Sequence, residues 1–209
     1  YIYATCRYLF LRKNNAVFLL LLSPLMHIGL ALPVILTITF RFIKIPVGVA
    51  FPVFLMSAFL PELNWDLIHN AAMQVAPDLV YQRFSQYTSE AYVHSVNERL
   101  QGYGIIYQLS RWMALYFTLL FTTILYVNRN VFMQDLSYHA FRFYLFFGIF
   151  SNLISHMPSG DRYLSITTFL MAGTMLVFYQ NHPRFKLKRW VAFSLPVCFL
   201  LAVYQFRIF

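Results

Sequence analysis

The sequence predicts an all-α fold, a polytopic transmembrane helical bundle with an external amphipathic helical segment. Hydrophobic residues make up 60% of the 209 residues and charged residues only 11%, whereas soluble domains carry roughly a quarter charged residues. Apolar runs at 16–40, 103–127 and 163–180 match the length of about 20 residues that spans a bilayer core. We therefore interpret residues 1–209 as a single transmembrane domain. Because the chain starts inside an apolar stretch without Met, we expect it to be the C-terminal part of a longer protein.

Apolar runs separated by short polar or basic loops define the predicted elements. Residues 1–11 are predicted to be the end of a helix, and residues 62–102 form the one sizeable polar segment. The predicted spans after residue 44 lie at about 45–60, 103–127, 139–157, 163–181 and 190–207.

The apolar stretch 16–43 has two interpretations. Pro24 and Pro33 interrupt it, and both remove a helical hydrogen bond. It is either a broken, re-entrant hairpin that returns to the side it started from, or one long tilted helix with a proline kink. The hairpin keeps Arg12 and Lys13 on the same side as the other basic loops, as the positive-inside rule favours.

Charge sorts the loops into two sets. All four lysines fall in loops that we predict to be cytoplasmic, and six of the seven acidic residues fall in the other set. Loops 41–46, 128–138 and 182–189 are therefore predicted to be internal, and 62–102 and 158–162 external. This distribution between apolar runs, in spite of a net charge of +9, is that of a membrane protein and excludes nucleic acid as a partner.

The external segment 62–102 is predicted to hold one or two amphipathic helices on the outer leaflet. Tyr81, Phe84 and Tyr87 follow each other at spacings of three, near one helical stripe, with Arg83 between them. Tyr81 and Tyr87 are candidates for stacking on sugar rings, or are interface aromatics. Arg83 is a candidate substrate-binding residue, or belongs to a solvated helix face.

Two spans carry candidate polar residues near their predicted external ends. Arg111 lies about 10 Å below the outer boundary, at 1.5 Å per helical residue, and either binds an anion in an outward-facing cavity or extends to the headgroups. His156, Asp161 and Arg162 lie within six residues of each other in the turn SHMPSGDRYL. They predict an acid–base and phosphate site at a helix N-terminus, with Tyr163 as a stacking residue; the alternative is a helix cap with an interfacial arginine.

His27 lies between the two prolines of the 16–43 stretch. It is either a base or hydrogen-bonding group at the hairpin tip, or a core histidine whose ring nitrogens are hydrogen-bonded within the protein. The candidates on the external side are arginines, which bind phosphate in a bidentate fork and stay charged when desolvated. This chemistry suits a lipid diphosphate at the bilayer surface. The sequence has no zinc-type Cys/His spacing, and we predict no metal and no cofactor.

Four motifs together resemble the EpsG-like and Wzy-type polymerases of bacterial exopolysaccharide, capsule and O-antigen. They are YATCRYLFLRKNN, LSPLMHIGLALP, LVYQRFSQY and GDRYLSITTF, in this order along the chain. The resemblance implies a metal-independent glycosyltransferase in the bacterial inner membrane, which transfers a glycan from an undecaprenyl diphosphate carrier to a hydroxyl of another lipid-linked repeat unit at the periplasmic face. Chain-length regulators or export proteins are further expected partners.

With this function, Arg162 would stabilise the diphosphate leaving group with Arg83 and Arg111 as helpers. Asp161, His27 or Glu62 would serve as the base. The alternatives are a transporter or flippase of lipid-linked glycans, a multispan membrane acyltransferase, and a structural subunit without chemistry.

Overall fold

The part of the chain that the structure describes consists of α-helices and short turns. The computed structural model describes residues 1–26, 28–43, 45–59, 98, 102, 105–155, 160–182, 196, 197 and 200; the side chains of residues 2, 28, 106, 107, 111 and 161 lie outside this description. No strand occurs among these residues. The helices are α1 Ile2–Leu9, α2 Ala16–Met26, α3 Ala31–Phe42, α4 Val47–Phe59, α5 Ile105–Val127, α6 Leu136–Leu153 and α7 Gly160–Asn181, with short 3₁₀ turns at Ile28–Leu30 and Arg129–Val131.

Helices occupy the apolar segments that the sequence singled out. The α4 and α5 helices lie within the predicted segments 45–60 and 103–127, whereas α6 and α7 each begin three residues before the predicted segments 139–157 and 163–181. The predicted span 190–207 lies outside the described residues except for three helical positions. The amphipathic segment 62–102 lies outside them except for Glu98 and Gly102.

The stretch 16–43 folds as a hairpin of two helices rather than as one kinked helix. The α2 and α3 helices pack against each other, and the 3₁₀ turn Ile28–Leu30 connects them. At their open end, Arg41 Nη2 donates a hydrogen bond of 2.7 Å to Asn14 Oδ1. Within the residues that the structure describes, 16–43 therefore has the helical hairpin shape that the first interpretation expects, and its re-entry into a membrane stays a prediction.

The hairpin turns between its two prolines and not at either of them. Pro24 lies inside α2, where its missing N–H leaves a helical carbonyl without its usual donor. Pro33 occupies the first turn of α3, where the N–H has no helical partner in any case. The chain therefore tolerates both prolines and breaks at the weakly helical Ile-Gly sequence between them.

The α6 helix is the centre of the fold. It packs against α3, α4 and α7, and residues 143–148 are buried one after another, so no face of this part is exposed. A helix that is apolar on all sides belongs in a core. The core cluster around it includes large buried aromatic residues of other elements, which are Phe54, Phe121, Phe132 and Phe178.

One end of the helices collects basic residues. Arg142 Nε donates a hydrogen bond of 3.2 Å to Ile45 O, which ties the start of α6 to the turn before α4. Together with the bond between Arg41 and Asn14, this contact brings the turns 10–15, 43–46 and 128–135 to one end. We call this end the basic end; its described cations are Arg12, Lys13, Arg41, Arg129 and Arg142.

Two helices in the described part of the chain are long and apolar enough to cross a membrane. They are the stretches Gln108–Val127 of α5 and Arg162–Asn181 of α7, each with 20 residues. The α2, α3 and α4 helices are apolar but shorter, with 11, 12 and 13 residues.

Candidate functional site

The first residue of α7 lies directly against the backbone that follows the end of α6. A Cβ atom at Gly160 would overlap the carbonyl oxygens of Ile154 and Ser155. Because these atoms belong to the backbone, they cannot move aside as a flexible side chain can. Glycine at this position therefore fixes where the predicted phosphate-binding turn begins, and it does so through close approach rather than through an unusual backbone angle.

One turn into α7, a tyrosine joins this helix to the tip of the hairpin. Tyr163 Oη donates a hydrogen bond of 3.0 Å to Gly29 O. Gly29 is the central residue of the 3₁₀ turn between α2 and α3. The Tyr163 ring also packs with the cluster formed by Leu36, Phe143 and Ile166. The hairpin tip and the start of α7 therefore meet, although 134 residues separate them in sequence.

This contact joins two of the regions that the sequence predicted to be functional. Arg162 and Tyr163 are half-buried neighbours at the start of α7, and the charge of Arg162 acts on the Tyr163 hydroxyl. Asp161 belongs to the same first turn, and its side chain lies outside the described residues. His27 also lies outside them, two positions before Gly29. Of the predicted catalytic residues, the structure therefore places the backbone of Asp161 and the side chain of Arg162 beside this contact.

A buried polar pair connects α4 and α6 at the same end of the fold. Asn152 Nδ2 donates to Ser57 Oγ at 3.0 Å, and Ser57 Oγ in turn donates to Phe54 O at 2.8 Å. Both side chains are buried. Next to them, Ser155 Oγ donates to Asn152 O at 2.7 Å. Buried polar atoms cost free energy unless they are paired, so this pair fixes the register of α4 on α6 beside the start of α7.

The described part of the structure does not place the remaining predicted site residues at the contact between Tyr163 and Gly29. Arg111 lies in the second turn of α5, with its side chain outside the described residues. Its neighbour Trp112 is exposed, as an interface anchor would be. Arg83, Tyr81, Tyr87 and His156 lie outside the described residues and remain predictions.

The residues that sequence reasoning missed are those that position the site. Gly160 and Gly29 act through their backbones, and Ser57 acts through a buried hydroxyl. The signal for Gly160 was present in the turn SGDRYL, because glycine at the start of a helix permits close approach of another backbone. No signal in the sequence indicates which residue contacts Ser57, because its partner lies 95 residues away.

The site shows no metal-binding arrangement in the part of the chain that the structure describes. No three side chains among the described His, Cys, Asp and Glu residues are grouped so that they could hold a metal ion.

Comparison of the chain with protein-family models found no match. Comparisons with curated proteins and with solved structures found no match either.

Proposed function

We propose that this chain is part of a multi-pass polysaccharide polymerase of the bacterial inner membrane. It would transfer a glycan from an undecaprenyl diphosphate carrier to a hydroxyl of a second lipid-linked repeat unit at the periplasmic face. The observation that carries this proposal is the hydrogen bond from Tyr163 to Gly29. It holds the first turn of α7, with Asp161 and Arg162, beside the hairpin tip that follows His27.

The membrane part of the proposal is supported by the outer surface of the hairpin. Leu25 and Met26 are 80% and 88% exposed, and Phe18 and Leu22 on the same helix are also exposed. Soluble proteins rarely expose contiguous apolar surface of this kind. A hydrocarbon environment removes the cost of this exposure, and the helices satisfy the backbone groups that such an environment cannot solvate.

The proposed orientation of the protein in the membrane is supported by the separation of the basic end from the start of α7. The basic end contains the loops that the positive-inside rule assigns to the cytoplasm. The start of α7 and the hairpin tip lie at the opposite ends of their helices. A substrate that meets Arg162 would therefore arrive from the periplasmic leaflet, where lipid-linked repeat units are presented for polymerisation.

The chemistry follows from the charge that develops when the glycosidic bond to the diphosphate breaks. Negative charge accumulates on the leaving diphosphate, and a guanidinium stabilises it through two parallel N–H···O hydrogen bonds. Arg162 is the residue we assign to this role, and the N–H groups of the first turn of α7 are further hydrogen-bond donors for an anion. Asp161 or His27 would accept the proton of the attacking hydroxyl.

The test is the length of the polymer made by cells that carry Arg162→Ala. We expect single repeat units to accumulate on the carrier while the amount of protein in the membrane stays the same, because the variant lacks the group that stabilises the leaving diphosphate. Removing one such donor costs about 10²- to 10³-fold in rate. Arg162→Lys is expected to restore only part of the chain length, because a point charge does not replace the fork.

The matched control is Arg7→Ala. Arg7 lies in the last turn of α1, and its guanidinium donates to Tyr3 Oη of the same helix at 2.9 Å. This variant is expected to make polymer of normal length. Polymer of normal length from Arg162→Ala would remove Arg162 from the mechanism and with it the main assignment of the proposal.

The broken hairpin also favours a second candidate, a flippase of lipid-linked glycans. Transporters often bind their substrates at interrupted helices whose ends meet near the middle of the bilayer, and α2 and α3 are interrupted at Ile28–Leu30. A deletion strain separates the two functions. Loss of a polymerase leaves single repeat units outside the inner membrane, whereas loss of a flippase leaves none there.

A further inference from the structure

The basic end has a cation cluster that the proposed reaction does not use. Arg41 donates a hydrogen bond of 2.7 Å to Asn14 Oδ1, and its guanidinium lies 4.6 Å from the centre of the Tyr8 ring. The contact with Asn14 brings Arg41 next to Lys13. Arg12, Lys13 and Arg41 are all exposed, so three cationic side chains share one surface at the open end of the hairpin.

One further cation, Arg142 of α6, borders this cluster. The positive charges of Arg12 and Arg142 both act on the ring of His139, so the turn after α1 lies close to the first turns of α6. The acidic residue described at this end is Asp135, and its Oδ2 atom is 2.6 Å from His182 Nε2. Like charges are therefore assembled on this surface, where an anion would reduce their mutual repulsion.

The backbone of Arg12 has an unusual conformation that holds this cation at the turn after α1. Its φ angle is 51°, in the left-handed region that costs free energy for residues other than glycine. In the same turn, Lys13 N donates to Arg7 O at 3.0 Å and Leu11 N donates to Cys6 O at 3.3 Å. The chain thus closes α1 with an arginine where glycine would be the least costly residue.

Apolar side chains flank the cations both in the turn after α1 and at the end of α3. Leu11 and Phe42 are 61% and 76% exposed, and they are the immediate neighbours of Arg12 and Arg41. A soluble anion offers nothing to these side chains. An anionic phospholipid does, because its headgroup phosphate lies at the level of the cations while its acyl chains lie beside the apolar residues.

We propose that Arg12, Lys13 and Arg41 bind the headgroups of anionic phospholipids in the leaflet that surrounds the basic end. Leu11 and Phe42 insert into the acyl region next to them. The inference rests on the membrane location within the proposed function, and it is independent of the glycosyl transfer. It assigns a lipid-binding surface to the end of the molecule opposite the start of α7.

The test measures phospholipid binding to the full-length protein in detergent micelles by native mass spectrometry. Dioleoyl-phosphatidylglycerol is the anionic probe, and dioleoyl-phosphatidylcholine is the zwitterionic one. The variant that combines Arg12→Gln, Lys13→Gln and Arg41→Gln is expected to lose on the order of 100-fold in affinity for phosphatidylglycerol, since each basic residue contributes roughly fivefold near an anionic surface. Its affinity for phosphatidylcholine is expected to stay the same.

A charge-preserving variant controls for damage to the fold. Arg12→Lys combined with Arg41→Lys keeps the net charge and is expected to retain phosphatidylglycerol binding to within about fivefold. If the triple glutamine variant unfolded, it would lose affinity for both lipids equally. In that case, single glutamine variants are compared with wild type, provided that their melting temperatures in phosphatidylcholine equal that of wild type.

Three outcomes would overturn the proposal. They are equal affinity of the wild-type protein for the two lipids, unchanged phosphatidylglycerol binding in folded glutamine variants, and stabilisation by inorganic pyrophosphate equal to that by phosphatidylglycerol. The last result would indicate a site for soluble anions. None of them bears on polymer length in the Arg162 variants, so failure of this inference is distinguishable from failure of the proposed function.

Discussion

At the scale of single residues, the site depends on small groups that hold backbones together. The Tyr163 hydroxyl reaches the Gly29 carbonyl, and Gly160 lets α7 begin against the end of α6. Composition and spacing predicted Arg162 and Tyr163 as site residues, because an arginine and a tyrosine at a helix start have recognisable chemistry. They did not predict Gly29 or Ser57, because a carbonyl oxygen and a buried hydroxyl gain their roles only from the partner that packs against them.

Tyr163→Phe removes the bond between α7 and the hairpin tip without changing the ring. We expect a loss of about 1 kcal/mol, the usual net value of one hydrogen bond. Amide hydrogen exchange at residues 28–31 should then become about fivefold faster, because local opening of the turn becomes easier. Tyr3→Phe is the control, since Tyr3 is exposed and its hydroxyl accepts a hydrogen bond from Arg7 of the same helix. Equal exchange at residues 28–31 in wild type and Tyr163→Phe would mean that the bond does not hold the tip.

Gly160→Ala places a methyl group where two carbonyl oxygens already lie. The start of α7 must then move away from α6, and we expect a loss of about 3 kcal/mol, at the upper end of the usual cost of overpacking. The thermal unfolding midpoint in detergent measures this loss. An unchanged midpoint would show that the turn before α7 accommodates a side chain.

At the scale of helices, the central position of α6 requires close packing against α4. A Cβ atom at Gly148 would lie 2.5 Å from Cε2 of Phe54 and 3.2 Å from Cγ2 of Thr167. Phe54 is almost fully buried, so its ring has little space to move. The sequence predicted a helix in this region correctly, yet the glycine within it had no assigned role. Its role appears only when α4 and α7 are seen on either side of it.

Gly148→Ala and Gly173→Ala form a matched pair for this packing. Gly148→Ala is expected to cost about 1–3 kcal/mol because it overfills the contact with α4. Gly173 lies inside α7, and no neighbouring atom lies within 4 Å of the position that an alanine Cβ would occupy. Gly173→Ala is therefore expected to gain up to about 1 kcal/mol through helix propensity. Unfolding midpoints of both variants test the pair, and a gain in both would mean that Phe54 moves aside without cost.

At the scale of the whole molecule, the two ends differ in charge and in the helices they join. The contacts between Arg41 and Asn14, between Arg142 and Ile45, and between Asp135 and His182 all lie at the basic end. The contacts of Tyr163 and Asn152 lie at the other end. This separation agrees with the loop assignment, which was made from the positions of lysines and acidic residues together with the order of the predicted spans.

Cysteine labelling tests the orientation that the proposed function needs. In a chain with Cys6→Ala and Cys198→Ala, single Asn14→Cys and Asn130→Cys variants should react only with reagent that reaches the cytoplasm. A Gly102→Cys variant should react with reagent added from the periplasmic side. All three positions are exposed. Periplasmic labelling at position 14 would contradict the hairpin as a re-entrant element and place the basic end on the wrong side.

The sequence by itself determined the helical fold, the positions of α4 to α7 and the division of loops by charge. These properties depend on the local order of apolar, basic and helix-breaking residues, which a single chain displays directly. Only the tertiary structure decided that 16–43 turns at Ile28–Leu30 and that this turn meets the start of α7. The physical reason is that a hairpin and a kinked helix have the same hydrophobic pattern, whereas contacts such as Arg41 with Asn14 and Tyr163 with Gly29 join residues far apart in sequence.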